Sequence, residues 1–119
     1  MVYVADSRAL ATLEILAGIR SVPALDAYVL IPVAFEPGSV EALEPKDLPR
    51  GWRDNPPPRE TRALGDGWVR EQRSAVLRVP SVLIPQESNF LLNPRHPDFP
   101  RIRIGDPTPF TLDARLGAG

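Results

Sequence analysis

The chain has 119 residues, with 14 basic against 15 acidic side chains, one histidine and no cysteine. That length predicts a single domain, able to bury roughly two thirds of its unfolded surface. The near-neutral charge gives no electrostatic case for nucleic acid or an anionic membrane. The missing cysteines exclude a disulfide framework, a thiolate zinc site and a cysteine nucleophile, and no apolar run approaches the ~20 residues of a membrane span.

Proline is abundant, at 15 residues, roughly twice the usual ~5% share. Long helices and central strands reject it, so the pattern predicts short elements joined by fixed loops. Residues 2–5 (VYVA) read as a short buried strand. Asp6 or Ser7 then caps a helix over residues 8–19, with Leu10, Leu13, Leu16 and Ala17 on one apolar face and a stop at Ser21-Val22-Pro23. Residues 28–35 (YVLIPVAF) read as a strand buried on both faces, with Pro32 marking an edge or a bulge. Residues 40–43 form a short element of open type. Residues 48–62 are irregular, and Trp52 pins them to the body.

A second helix follows over residues 61–72, with Leu64, Trp68 and Val69 on one side. Residues 75–84 read as two strand pieces, AVLRV and SVLI, separated at Pro80-Ser81. Residues 90–92 suggest another strand, residues 93–100 are rich in turns, and Ile102, Ile104, Phe110 and Leu112 suggest two final short strands. Residues 117–119 read as a frayed tail. Strands outnumber helices without regular alternation, so the expected class is α+β, a small mixed sheet with short helices.

Few residues advertise chemistry. His96, between Arg95 and Pro97, reads as structural or exposed, and neither common phosphate-binding glycine motif occurs. Glu14 falls at the edge of the first helix's apolar face. A carboxylate there is either an exposed flank residue, the ordinary case, or a buried group with a task. Tyr3 points opposite to Val2 and Val4, which simple core packing explains. Ser81, if buried, must find a partner; the plainer reading is a strand-end serine closing a turn. Asn89 and Asn93 flank residues 90–92, where asparagine satisfies turn backbone or binds a ligand amide or hydroxyl.

The segments VYVADSRALATLEIL, YVLIPVAF, LPRGW, LGDGWV, SAVLRVPSVLIP and ESNFLLNPRHPDF together resemble the RES domain, in the expected order and over nearly the whole chain. The resemblance implies a fold like that of ADP-ribosyltransferases. It also implies the toxin half of a bacterial toxin–antitoxin pair, cytoplasmic, with an Xre-like helix-turn-helix antitoxin as partner and a homo-oligomer within that complex. The implied activity is cleavage of NAD, as substrate rather than cofactor, by hydrolysis, phosphorolysis or ADP-ribosyl transfer. Carried over by motif, Glu14 and Ser81 are the catalytic residues, with Ser88 the alternative serine, and Tyr3 and Asn89 bind NAD. No metal is implied. The family arginine, typically within G-G-R-W-N, precedes the strand that holds the tyrosine. Met1 stands inside that strand here, so the expectation is a start placed too far downstream or a truncated form. Arg8 and Arg20 lie on or near the helix and do not replace it. The alternative function is an inactive fragment that only binds the antitoxin.

Overall fold

The computed structural model describes residues 1–18 and 28–117. In chain order its elements are β1 (Val2–Ala5), α1 (Arg8–Gly18), β2 (Tyr28–Leu30), β3 (Val33–Ala34), β4 (Val40–Ala42), α2 (Arg59–Glu71), β5 (Val76–Pro80), β6 (Ser88–Leu92), β7 (Arg103–Ile104) and β8 (Thr108–Phe110), with short 3-10 turns between several of them. The class is α+β. The main sheet runs β1-β6-β5-β4. β6 pairs antiparallel with both β1 and β5, whereas β4 lies parallel to β5. A parallel pair needs a long crossover, which the segment containing α2 supplies.

Alternation along β5 divides the interior. Val76 joins Ala75, Leu92 and Ile102 in one buried cluster, with Val4, Val33, Phe35 and Phe90 packed against it. Leu77 joins Leu91 and Trp68 in another. Trp68 is fully buried on α2. Its indole N–H donates to Ser74 Oγ at 2.7 Å, and that hydroxyl donates to the Val76 carbonyl at 2.7 Å. The buried polar atom is therefore satisfied where helix meets strand. α2 starts two residues before its expected position, because the Pro58 carbonyl accepts the amides of Thr61 and Arg62. It ends at Gln72, which adopts a left-handed conformation (φ 50°).

Four expectations need correction. β1 is an edge strand rather than a buried one: among the described residues it pairs only with β6, and Val2 and Tyr3 are exposed. Tyr3 is accordingly no core residue. On α1 only Leu10 of the expected apolar face is fully buried, while Leu13 is exposed. The run 28–35 divides into β2 and β3, and Val29 within β2 and Ile31 between the two strands are exposed. β2 pairs with β8 and β3 with β7. Between the pairs Leu30–Thr108 and Val33–Ile104, residues 31 and 32 face residues 105–107, so the extra residue of the bulge lies in the partner segment, opposite Pro32. Finally, SVLI is a turn and not a strand, because the Ser81 hydroxyl accepts the Leu83 and Ile84 amides. Residues 19 and 21–23, expected to end the first helix, lie outside the described residues.

Candidate active site

Two antiparallel pairs assemble the site. Tyr3 lies opposite Leu91 and Ala5 opposite Asn89. Tyr3 and Asn89 thus project from one face of the sheet as diagonal neighbours. The chain leaves β1 through Asp6 and Ser7 directly into α1. Ser7 is the cap: its Oγ accepts the Leu10 amide at 3.1 Å and its carbonyl accepts the Ala11 amide at 3.0 Å. Leu10, buried against the body, fixes the helix in rotation, and Glu14 follows one turn later on the sheet side.

β5 ends at Pro80, and Ser81 turns the chain. Its Oγ accepts the amides of Leu83 and Ile84 at 3.1 and 3.2 Å, and its own amide donates to the Glu87 carbonyl at 2.9 Å. Those bonds curl residues 81–84 into a turn, which is why no second strand forms. The same hydroxyl donates to Glu14 Oε1 at 3.2 Å. One proton and two lone pairs are all engaged, as a fully buried hydroxyl requires. Asn89 Nδ2 donates to the same carboxylate oxygen at 2.9 Å. Both bonds fall on Oε1, which leaves Oε2 as the oxygen available to a ligand.

Glu14, Asn89 and the exposed ring of Tyr3 line one cleft of about 890 Å³, within the range of small-molecule sites. Ser81 sits behind Glu14 and does not line it. Phe35 and Phe90 form an aromatic patch on the cleft wall, their ring centroids 5.2 Å apart and their planes tilted by 59°. Arg8 is a further lining residue.

The RES domain family model matches residues 1–113. A protein named Toxin Res from Yersinia enterocolitica is 38% identical over 116 residues, covering 97% of this chain and 76% of the relative. The Prs ADP-ribosylating toxin of Sphingobium sp. is 40% identical over 119 residues, covering 98% of this chain and 74% of the relative. A second Toxin Res, from Photorhabdus laumondii, is 33% identical over 116 residues, covering 97% and 74%. The chain belongs to the RES domain family.

The structure brings together the four residues that the RES motifs single out: Glu14 bonds Ser81 and Asn89, and Tyr3 shares its cleft. Ser88 is not drawn in. It pairs with Pro80, and its carbonyl accepts the Asp6 amide at 3.1 Å. Asn93 has the turn role: it is buried, and its Oδ1 accepts the Arg95 amide at 3.1 Å. His96 is structural, its Nδ1 accepting the Asp98 amide at 3.0 Å. Motif reading set Arg8 aside as a stand-in for the family arginine and passed over Phe35 and Phe90. Arg8, Ala11 and Ile15 recur at spacings of three and four, a helical signal that the neighbouring leucine stripe concealed. The Phe35–Phe90 pair joins distant segments and leaves no local signal. Among the described residues, no helix is long and apolar enough to cross a membrane.

Proposed function

We propose that this chain is the toxin of a type II toxin–antitoxin pair, that it consumes NAD by breaking the nicotinamide–ribose bond, and that an Xre-like antitoxin restrains it. The observation that carries the reading is the Glu14 carboxylate, held on one oxygen by Ser81 and Asn89 at the wall of a ligand-sized cleft. The name of the Sphingobium relative, an ADP-ribosylating toxin, adds support, since ADP-ribosyl transfer breaks the same bond of NAD.

In this reading the bond between ribose C1′ and the nicotinamide nitrogen breaks, and its electron pair leaves with nicotinamide as a neutral molecule. Positive charge develops on the ribose ring. A carboxylate oriented before the reaction stabilises that charge without reorganising. Glu14 Oε2 faces the ribose, either accepting a hydroxyl proton or lying against the developing cation. Ser81 and Asn89 keep the carboxylate in one orientation, and the Tyr3 ring stacks on nicotinamide. With water as acceptor the products are ADP-ribose, nicotinamide and one proton; phosphate or a protein side chain can take the place of water.

Expression in bacterial cells without an antitoxin tests the proposal. The chain should lower cellular NAD and arrest growth, and Glu14→Ala should do neither while accumulating to the same level. Growth arrest with an unchanged NAD pool would contradict the proposed reaction. A folded chain that captures the antitoxin but leaves NAD intact would establish the binding-only alternative.

A further inference from the structure

The cleft holds a cation as well as a carboxylate. Arg8 and Glu14 both line it from α1. They stand six residues apart in sequence, or ~9 Å along the helix axis. Of the described residues that line the cleft, Arg8 is the one positively charged side chain, and Asp6 and Glu14 carry the negative charges. The position is exposed, and Arg8 takes part in none of the ion pairs among the described residues. Its backbone is nevertheless fixed, by the Ser7 cap on one side and by buried Leu10 on the other.

We propose that Arg8 grips the diphosphate of the nucleotide substrate. The assignment rests on reading the cleft as an NAD site, and it names the group that holds the far side of the scissile ribose. NAD carries its negative charge on the diphosphate, one ribose removed from the nicotinamide bond. A ribose facing Glu14 therefore places the diphosphate further along the cleft, and Arg8 is displaced from Glu14 along α1 by a distance of that order. A cleft whose other charges are negative repels a diphosphate unless a cation meets it. The planar guanidinium fork matches paired phosphate oxygens. Asp6 opposes the contact, which supplies a variant of opposite sign.

Calorimetric titration with ADP, which has the diphosphate but no nicotinamide bond, tests this on the full chain. Arg8→Gln should weaken ADP binding about ten- to a hundredfold and flatten its dependence on salt, while leaving the affinity for nicotinamide alone unchanged. Asp6→Asn should tighten ADP. With NAD as substrate, Arg8→Gln should raise KM and leave kcat within about twofold, the signature of lost uniform binding. ADP binding by Arg8→Gln equal to the parent's, in a chain that releases nicotinamide from NAD, would overturn the Arg8 assignment and leave the reading of the cleft intact. A parent that neither binds ADP nor releases nicotinamide would overturn both. Arginine-dependent ADP binding by a chain that does not cleave NAD would uphold the diphosphate contact and remove the reaction.

Discussion

The Ser81 hydroxyl ties the β5–β6 loop to α1, because it accepts two loop amides and donates to Glu14 at once. Ser81→Ala deletes all three bonds, two of them part-buried bonds from the Leu83 and Ile84 amides. The expected cost is about 1–3 kcal/mol, measured as a fall in the urea midpoint, together with a loss of nicotinamide release because the carboxylate loses one of its two anchors. Asn89→Ala removes the other anchor and no loop amide bond. It should therefore slow nicotinamide release more than tenfold with little loss of stability, and equal damage to stability by both variants would contradict the division of roles. Glu14, Ser81, Asn89 and Tyr3 were legible from motif order. Position within a helix or strand left each of them with an ordinary explanation, because the bonds that join them span 67 and 75 residues. Tyr3 illustrates the limit. Alternation gave its direction, but only the place of β1 at the sheet edge decided that this direction is open cleft rather than core.

At the scale of elements, the cleft wall depends on the bulge where β2 and β3 separate. Gly105 donates its amide to the Pro32 carbonyl at 2.7 Å, and a Cβ at Gly105 would stand 2.6 Å from Pro32 Cγ. Pro32 itself lines the cleft. Gly105→Ala must therefore push the wall or break the bond, at an expected cost of about 1–3 kcal/mol. Kinetics should show a raised KM for NAD before any loss of fold, and an unchanged KM would mean that this wall does not contact substrate. The run 28–35 looked like one strand because composition marks what favours strand geometry. Proline marked the interruption, but the partner that divides it, residues 103–110, could not be read locally. The segment 48–62 was expected to be irregular and held by Trp52; α2 takes up its last four residues, and Trp52 is half-buried. The neighbouring Arg53 adds a tie, its Nε donating to the Val82 carbonyl at 2.9 Å on the loop that carries Ser81.

Across the whole molecule, two buried clusters on opposite sides of the main sheet hold the site in place. Trp68→Ala should cost about 3–5 kcal/mol and abolish cooperative thermal unfolding at physiological temperature, since one cluster is built around that ring. With a formal net charge of −1, the molecule exerts no general pull on an anionic substrate, so any salt dependence of substrate binding is local to the cleft. The α+β class and most elements could be read from the sequence, because alternation and helical spacing are local. Sheet order and the cleft could not, because they arise from pairings between the two ends of the chain, as β1 with β6 shows. The proposed reaction depends on the anchored Glu14 carboxylate to stabilise the charge that develops as the nicotinamide–ribose bond breaks. The most direct test is nicotinamide release from NAD by the purified chain beside Glu14→Ala, with and without phosphate. The parent should release nicotinamide and the folded variant none above background, with stimulation by phosphate if phosphate is the acceptor. Equal release by both would contradict that role of Glu14.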